Sequence, residues 1–347
     1  MEKEENIAHN KKPVIGITLG DINGIGPEVI IKALSDNRIL NFITPVIYGS
    51  TKVLSYYRKN FGLEEFNYSQ SKDGHINHKK TNVVNCWEDM VEIKMGQETE
   101  EGGQCAFVAL EKGTEDLLAE KLDALVTGPI NKKNIQREGF HFPGQTEYLA
   151  QKSGDKDSLM MMVSDTLKVG LVTTHVPVSK ISEIITKEKI SAKLDIMIQT
   201  LRKDFGISKP KIAILALNPH AGEEGLLGTE ENDIIKPVVD EFKNRGSIVL
   251  GPYPADGFFG VAQYRNFDGI MAMYHDQGLI PFKSLSFESG VNYTAGLKFI
   301  RTSPDHGTAY NLTGKNIASE VSIREAIFLA RQIVLQRGQN MSEADIS

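Results

Sequence analysis

Cysteine is scarce in this sequence, and no long apolar run is present. Only Cys86 and Cys105 occur among 347 residues, and they do not form a CxxC pair. Two thiols so placed cannot build a disulfide framework, and with no recognisable signal peptide they favour a reducing compartment. No stretch approaches the roughly 18 continuous apolar residues of a membrane-spanning helix. We therefore expect a cytoplasmic protein with no membrane partner.

Positive charge is neither in excess nor gathered into a stripe. The chain carries 39 Lys and Arg against 45 Asp and Glu, a formal net charge of -6 at pH 7. This balance lacks the electrostatic footprint of a nucleic-acid-binding protein. Hydrophobic residues make up 40% of the chain and charged residues 24%, which is ordinary for a globular fold. We expect a small-molecule ligand and no nucleic-acid partner.

The length of the chain predicts two lobes. A chain of 347 residues exceeds the roughly 250 to 300 residues at which a single hydrophobic core stops growing. Residues 1–11, MEKEENIAHNK, are polar and without periodicity, so we predict a disordered leader that carries no chemistry. Near the other end, Ser322 and Glu325 form a capping-box pattern that predicts a last helix.

Six short apolar runs lie between these ends. Their hydrophobicity is continuous rather than alternating, which is typical of strands buried on both faces. Helical patterns separate them, such as the stripe of Ile190, Leu194, Met197, Ile198 and Leu201. The alternation of strand and helix predicts an α/β fold with mostly parallel sheets flanked by helices. The runs cover residues 13–20, 45–49, 122–128, 169–175, 211–220 and 270–275.

Three of the apolar runs end in histidine. These are His175 in VTTHVP, His220 in LNPHAGE and His275 in MYHDQG. In open parallel sheets, ligands bind beyond the carboxyl ends of the strands. Three imidazoles at such ends predict a site for one divalent metal, with further coordination positions open to substrate or water. The alternative is three independent histidines that cap turns or bond backbone carbonyls.

Two aspartates lie close to the same runs. Asp276 directly follows His275, and Asp256 occurs in PADGFF. Either carboxylate could orient a metal-bound imidazole through a hydrogen bond to its second ring nitrogen. Either could equally cap a helix or a turn.

A glycine-rich turn follows the first apolar run, in TLGDINGIGPEVIIKAL. Gly20, Gly24 and Gly26 lead into a helix whose first position suits Pro27. The turn matches neither the dinucleotide GxGxxG nor the GxxxxGK[ST] of a P-loop, so it supports no nucleotide site. A turn that serves packing alone is the alternative.

Cationic, amide and hydroxyl side chains form a third group of candidates. Such donors suit a phosphate or a carboxylate, although each could singly be a solvated surface residue. The group comprises Gln145, Thr146, Lys283, Asn292, Arg301, Thr302 and Ser303.

Together these motifs resemble the 4-hydroxythreonine-4-phosphate dehydrogenase family of vitamin B6 biosynthesis, a branch of the isocitrate and isopropylmalate dehydrogenase fold. The resemblance runs from about Pro13 to beyond Arg301, nearly the whole predicted fold. It rests on GITLGDINGIGPE, TGPINK, GQTEYLA, TTHVP, LNPHAGE, YPAD, YHDQGL, Lys283 and GVNYTAGLKFIRTSPDHGTA.

The resemblance implies two α/β/α lobes with mostly parallel sheets and an active site in the cleft between them. Residues 12–135 and 300–347 would form the first lobe, and residues 136–299 the second, which would carry the metal-binding and dimer-forming elements. His175, His220 and His275 would bind one zinc, cobalt or magnesium ion in a site shared across a homodimer, with one histidine from the partner subunit. The implied substrate contacts are Gln145, Thr146, Lys283, Asn292 and Arg301.

The implied reaction is oxidation of 4-phosphohydroxy-L-threonine to 2-amino-3-oxo-4-(phosphooxy)butanoate, with NAD or NADP as the hydride acceptor. A divalent metal held by the substrate hydroxyl and a neighbouring substrate group would lower the pKa of that hydroxyl and stabilise the alkoxide as hydride leaves. The β-keto acid would then lose CO2 to give 3-amino-2-oxopropyl phosphate, through an enolate that the metal would also stabilise. Asp256, Asp276 and a bound water are alternative general bases, and the residues that bind the cofactor are not assigned.

Two motifs depart from the family. The family typically reads GHTE where this chain reads GQTE, so Gln145 replaces a histidine and cannot become cationic near neutral pH. The common GDPAGIGPE is GDINGIGPE here, which introduces Asn23. The first change leaves open a threonate or erythronate 4-phosphate substrate, or a catalytically silent ligand-binding homologue. An acyltransferase of the phosphotransacetylase type is a further alternative, although its chemistry does not need three strand-end histidines.

Overall fold

The structure, a computed structural model, describes residues 12–72, 74–137, 139–155 and 157–344, with side chains as far as residue 340. The leader predicted over residues 1–11 lies outside this range. The chain divides into two compact units. The first unit comprises the residues up to Gly154 together with Phe299–Leu335, and the second comprises Asp155–Lys298 together with the residues from Gln336 onward.

Strands and helices alternate along most of the described chain. The strands are β1 (Val14–Thr18), β2 (Thr44–Gly49), β3 (Tyr68–Gln70), β4 (Thr81–Asn85), β5 (Ala124–Thr127), β6 (Leu159–Val163), β7 (Lys168–Leu171), β8 (Lys211–Leu215), β9 (Ile248–Tyr253), β10 (Gly269–Ala272), β11 (Val291–Ala295) and β12 (Arg301–Pro304). The α-helices are α1 (Gly26–Ser35), α2 (Thr51–Asn60), α3 (Glu100–Leu118), α4 (Gln145–Ser153), α5 (Ile181–Ile184), α6 (Lys187–Lys203), α7 (Lys236–Asn244), α8 (Ala255–Gly260), α9 (His275–Ser286) and α10 (Val321–Ala344). Shorter helical turns cover Asn37–Asn41, Val178–Lys180, Pro219–Gly225, Glu231–Ile235 and Gln263–Asn266.

The sheet of the first unit is parallel throughout. Its strands lie in the order β3-β4-β2-β1-β5-β12. Every residue of β1, β2 and β5 is buried, as continuous apolar runs require of central strands covered on both faces. Helix α3 packs against β1 and β2, and its first turn is held by the Thr99 hydroxyl, which accepts a hydrogen bond from the backbone N–H of Gly102.

The glycine turn between β1 and α1 packs closely against neighbouring backbone. Gly20 has a φ of +71°, and a Cβ built there would lie 2.2 Å from the carbonyl oxygen of Pro129. A Cβ on Gly26 would lie 2.3 Å from the carbonyl oxygen of Leu19. The backbone N–H of Ile25, between them, donates to the carbonyl oxygen of Thr308 at 2.9 Å. The glycines are therefore explained by the approach of neighbouring backbone.

The sheet of the second unit is mixed. Its strands lie in the order β11-β6-β7-β10-β8-β9. Strand β6 is antiparallel to both β11 and β7, whereas β7, β10, β8 and β9 run parallel. Helix α6 covers this sheet with the predicted apolar stripe, and all five stripe residues are buried. Buried strand residues, Phe258 and Phe282 form the core of this unit.

All six apolar runs contain strands, so these predictions are confirmed. The last helix is also present as α10. It begins at Val321, so Ser322 lies inside its first turn, and the Ser322 hydroxyl accepts the backbone N–H of Asp305 at 3.0 Å. Among the described residues, no helix has the length and apolar character needed to cross a bilayer.

Candidate active site

Two of the three candidate histidines come together at the carboxyl end of the second unit's sheet. His175 follows β7 and His275 follows β10, and these strands are parallel neighbours. The pairing continues past the strands, because the backbone N–H and the hydroxyl of Thr173 both donate to the carbonyl oxygen of Met273, at 3.1 and 2.8 Å. The imidazole rings of His175 and His275 lie 5.9 Å apart between centroids, with an interplanar angle of 41°.

A carboxylate fixes the orientation of one of these rings. The Nδ1–H of His275 donates to Oδ1 of Asp276 at 2.7 Å. This hydrogen bond leaves Nε2 of His275 as the ring nitrogen available to a ligand, which is the usual arrangement of a metal-binding imidazole with its carboxylate. His275 is the first residue of α9, so the start of the helix holds its backbone.

The two rings line a small cavity with an apolar wall. The cavity has a volume of about 250 Å³. Thr174, Val176, Val178, Ile181 and Tyr274 complete its lining together with His175, His275 and Asp276. Val178 is 79% exposed, so this wall is open to solvent in the single chain.

His220 lies on a different segment of the same unit. It follows β8 and is exposed, and it does not line the cavity that His175 and His275 share. Its backbone is left-handed, with a φ of +52°, as is that of the four residues that follow it. Within the described part of one chain, no group of three or more His, Cys, Asp or Glu side chains is arranged to hold a metal. One chain therefore brings together two of the three predicted imidazoles.

A glutamine connects the segments that carry His275 and His220. The backbone N–H of Met273, after β10, donates to Oε1 of Gln277 at 2.7 Å. The Nε2 of Gln277 donates in turn to the carbonyl oxygen of Ala216, after β8, at 2.6 Å. Gln277 lies in the YHDQGL motif, but its residue type and position in the sequence do not indicate this link. Its amide, which both donates and accepts, suits a link between two strand ends.

The donor set near His275 fits a divalent metal. Two imidazoles bound to one zinc ion at bond lengths of about 2.0 to 2.1 Å have ring centres roughly 5 to 6 Å apart, and the observed separation of 5.9 Å agrees. The oriented Nε2 of His275 adds to this fit. Asp256 is placed differently, because it is exposed in the first turn of α8 and does not line the cavity.

A buried arginine lies among hydroxyl groups in the first unit. Arg301, on β12, is 3% exposed. Its Nε and Nη2 donate to Oγ1 of Thr127 at 3.1 and 2.6 Å, and its Nη1 donates to Oγ1 of Thr146 at 3.3 Å. Burial lowers the pKa of Arg301 to about 10, and the charge of Glu147 partly opposes this shift. A guanidinium held by neutral hydroxyls is suited to binding an anion.

Thr127 is a further candidate, which was not selected from the sequence. It is the last residue of β5 and is fully buried. The available indication was a hydroxyl at the end of the apolar run LDALVTG, directly before Gly128. A polar side chain at the carboxyl end of a parallel strand is a candidate for ligand binding by the same argument that selected the histidines.

Gln145 lies beside this group with one polar atom unpaired. It is the first residue of α4, and its Nε2 donates to the carbonyl oxygen of Gly128 at 2.9 Å. Its Oε1 is buried and has no hydrogen-bond partner among the described residues. Buried polar atoms are rarely left unsatisfied, so this oxygen is available to a donor on a ligand.

The two remaining candidates lie in the second unit. Lys283 is half-buried in the last turn of α9, the helix that begins with His275. Asn292 lies on β11 opposite Met162, and its Oδ1 is buried without a partner in the described structure. Thr302 and Ser303 follow Arg301 on β12, and the hydroxyl of Thr302 donates to the carbonyl oxygen of Ala326 at 2.8 Å. Thr302 is thus engaged in packing α10.

Comparison with proteins of known family identifies the family of this chain. The family model for the pyridoxal phosphate biosynthetic protein PdxA matches residues 41–330. A 4-hydroxythreonine-4-phosphate dehydrogenase of Bacteroides thetaiotaomicron is 49% identical over 324 residues, which are 93% of this chain and 89% of that protein. A relative from Oceanobacillus iheyensis, provisionally named a D-threonate 4-phosphate dehydrogenase, is 38% identical over 93% of this chain and 98% of its own.

Solved structures give the same result. A 4-hydroxythreonine-4-phosphate dehydrogenase from Klebsiella pneumoniae superimposes with a TM-score of 0.80 at 33% identity, and the match covers 93% of this chain and 98% of that one. An isocitrate dehydrogenase from Methylococcus capsulatus shares the fold with a TM-score of 0.50 at 12% identity, over 96% of this chain and 89% of that one. The predicted α/β fold, with mostly parallel strands as in isocitrate dehydrogenase, is therefore confirmed.

The fold and these relatives define the class of this protein as an oxidoreductase of the dehydrogenase type. Within that class, the chain belongs to the pyridoxal phosphate biosynthetic protein PdxA family. The family resemblance stated from the sequence motifs is thereby confirmed.

Proposed function

We propose that this chain is a metal-dependent 4-hydroxythreonine-4-phosphate dehydrogenase. It oxidises 4-phosphohydroxy-L-threonine to 2-amino-3-oxo-4-(phosphooxy)butanoate, which decarboxylates to 3-amino-2-oxopropyl phosphate in pyridoxal phosphate biosynthesis. The observation that carries the proposal is the paired imidazoles of His175 and His275, 5.9 Å apart, in a chain 49% identical to a protein of that name.

The metal site uses His175 and His275 of one chain and a third imidazole, His220, of the partner subunit. Imidazole ligands favour zinc or cobalt, and oxygen atoms of a bound substrate would also allow magnesium. When bound, a divalent ion supplies Lewis-acid stabilisation of an alkoxide or enolate oxygen. Asp276 holds the ring of His275 through Nδ1, which supports a role in orienting the ligand rather than in removing the substrate proton. Asp256, exposed on α8, and a bound water remain candidates for the general base.

Exposed apolar side chains of the second unit support the homodimer. Five of them are at least 64% exposed: Val178, Leu226, Val261, Ile280 and Phe287. Val178 lines the cavity of His175 and His275, and Leu226 follows the turn that carries His220. Large apolar side chains exposed in this way mark interaction surfaces. Both halves of the proposed metal site therefore lie beside surfaces that a second copy of the chain would cover.

The substrate contacts are Gln145, Thr146, Lys283, Asn292 and Arg301. Arg301 and Lys283 supply positive charge for the phosphate and carboxylate groups of the substrate. Hydrogen bonds to Thr127 and Thr146 fix the orientation of the Arg301 guanidinium. The unpaired Oε1 of Gln145 and Oδ1 of Asn292 each accept a hydrogen bond from a substrate N–H or O–H group.

The hydride acceptor is NAD, with NADP as the alternative. The support is the dehydrogenase reaction named for the relatives, since a dehydrogenase of this type passes hydride to a nicotinamide ring. We place the reaction in the cytoplasm, because both cysteines are free, which suits a reducing compartment.

A second candidate function is oxidation of D-threonate 4-phosphate or erythronate 4-phosphate. The relative from Oceanobacillus iheyensis favours it, as does the uncharged Gln145 at the position where the family typically has histidine. These substrates carry a hydroxyl where 4-phosphohydroxy-L-threonine has its amino group. The side-chain oxygen of Gln145 can accept a hydrogen bond from either group.

A single assay separates these functions. The chelator-treated protein is supplied with zinc, cobalt or magnesium, and NADH formation is followed with each phosphorylated acid. We expect the highest kcat/KM with 4-phosphohydroxy-L-threonine and none without metal. A higher kcat/KM with threonate 4-phosphate would transfer the proposal to the second candidate. Binding of metal and substrate with no NADH would instead identify a silent homologue.

A further inference from the structure

The segment that carries His220 has an unusual backbone. His220, Ala221, Gly222, Glu223 and Glu224 have φ values between +43° and +76°, which form one left-handed turn. Four of the five are L-residues with a side chain, for which this conformation is sterically disfavoured. Such a turn persists only where its surroundings hold it, and backbone strain of this kind is concentrated at functional sites.

A buried carboxylate lies beneath this turn. Glu231 is 1% exposed, and its Oε1 accepts the backbone N–H groups of Leu217 and Asn218, both at 2.8 Å. Its Oε2 accepts the Nδ2 of Asn218 at 3.0 Å. These donors lie on the two residues that come just before Pro219 and His220. A carboxylate is an acceptor only, so it matches three N–H donors without conflict.

The same carboxylate contacts the middle of the turn. A Cβ built on Gly222 would lie 2.5 Å from Oε2 of Glu231 and 2.9 Å from the carbonyl oxygen of Gly228. Gly222 is buried, whereas His220 is exposed. Glu231 therefore touches the turn at its entrance and at its centre, on the side opposite to the solvent that His220 faces.

We propose that Glu231 is a positioning residue whose carboxylate holds the left-handed turn and so presents the imidazole of His220 to the metal. The inference rests on the proposed function, because it requires His220 to be a ligand. Glu231 acts through the backbone of residues 217–222 and does not itself touch the metal or the substrate. Nothing in the sequence indicated this role, since Glu231 lies in a run of polar residues, TEEND, after the motif.

The test is the affinity of the full-length, chelator-treated dimer for Co²⁺, measured by visible absorbance. Glu231→Gln keeps the size of the side chain but replaces one acceptor oxygen with an NH₂ group, which cannot accept the N–H donors of Leu217 and Asn218. We expect it to raise the Kd for Co²⁺ by about 10- to 100-fold, as loss of a ligand-orienting contact typically does. We also expect a changed Co²⁺ spectrum, because a water replaces the imidazole of His220. Glu231→Asp, which keeps the charge, should recover part of the affinity.

Two comparison variants separate the possible outcomes. Glu241→Gln removes an exposed carboxylate of α7 that lies 3.6 Å from Arg245, and it should leave the affinity for Co²⁺ unchanged. His220→Ala should lose affinity and show the changed spectrum. If His220→Ala does so while Glu231→Gln binds Co²⁺ like the unaltered protein, the role of Glu231 is refuted and the proposed function stands. If His220→Ala binds Co²⁺ normally, the ligand assignment fails, and the inference fails with it.

A purely structural role for Glu231 predicts a different result. It would lower the melting temperature and leave the Kd for Co²⁺ of the folded protein unchanged, which would also overturn the inference. If Glu231→Gln does not fold, Gly222→Ala tests the same contact from the other side, because its Cβ would displace Oε2 of Glu231. Gly222→Ala should weaken Co²⁺ binding and alter the spectrum, and a normal affinity in this variant would refute the role of Glu231.

Discussion

The Nδ1–H of His275 donates a hydrogen bond to Oδ1 of Asp276, its neighbour in the chain, at 2.7 Å. The carboxylate determines which ring nitrogen carries the proton and holds the ring at one angle. Both residues lie at the start of α9, shortly after the end of β10, and the ring of His275 lies beside that of His175. Within the proposed metal site, this hydrogen bond is the contact that orients an imidazole for metal binding.

Replacement of Asp276 by alanine should therefore weaken metal binding. Without the carboxylate, the ring of His275 is free to rotate and to carry its proton on Nε2, so we expect metal affinity to fall by about 10- to 100-fold. Competition with a chromophoric chelator measures this change. Asp240→Ala, an exposed aspartate on α7, is the matched control. Equal affinity in the Asp276 variant and the control would remove Asp276 from the site.

A shared site predicts complementation between inactive variants. His220→Ala and His275→Ala should each be inactive alone. When the two are refolded together at equal amounts, half of the dimers are mixed and each mixed dimer has one intact site, so activity should return to about a quarter of that of the unaltered protein. The control mixture is His175→Ala with His275→Ala, which should stay inactive because both residues come from the same chain. No recovery in the first mixture would contradict the shared site.

Arg301→Lys should weaken substrate binding without affecting the metal. Lysine keeps the charge but loses the planar fork that Thr127 and Thr146 hold. Loss of a charge-assisted hydrogen bond costs about 1.5 to 3 kcal/mol, so we expect KM for the phosphorylated substrate to rise by roughly 10- to 100-fold. Steady-state kinetics with saturating NAD measures this change. An unchanged KM would exclude Arg301 from substrate binding, and an altered Co²⁺ affinity would indicate a structural defect instead.

Gln145→His should add a pH dependence of substrate binding to that of the unaltered protein. A histidine titrates near pH 6.5, so the variant gains a positive charge as the pH falls, whereas glutamine stays neutral. If residue 145 contacts an anionic group of the substrate, KM of the variant should decrease relative to KM of the unaltered protein as the pH is lowered past about 6.5. Parallel pH profiles of KM test this expectation. Identical profiles would place residue 145 away from the anionic groups.

The predicted apolar runs identified six of the described strands, and β3, β4, β6, β9, β11 and β12 lay outside them. The runs that contain β1, β2, β5, β7, β8 and β10 could be recognised because such strands are buried on both faces. Strand β12 was missed because it is polar in sequence, RTSP, and yet fully buried. Its polar groups are satisfied by tertiary contacts, such as those of Arg301 with Thr127. Local composition cannot indicate contacts between residues far apart in the chain.

In the candidate site, too, some residues could be recognised from the sequence and others only from their contacts. Each histidine was selected because it ends an apolar run, and Arg301 and Gln145 were selected because cationic and amide side chains suit a phosphate or a carboxylate. Thr127 and Glu231 were not selected. Thr127 acts through Arg301, and Glu231 acts through the backbone that precedes His220. Supporting residues of this kind are defined by what they contact, and a single sequence does not display contacts.

The sequence by itself determined the alternation of strands and helices, the family motifs and the three imidazoles beyond strand ends, because these follow from local hydrophobicity and residue type. Only the tertiary structure decided that β10 lies between β7 and β8, which makes His275 a neighbour of His175. It also decided that a left-handed turn holds His220 on an exposed segment outside their cavity. Strand order and turn conformation depend on hydrogen bonds and packing between distant residues, which local residue types do not specify.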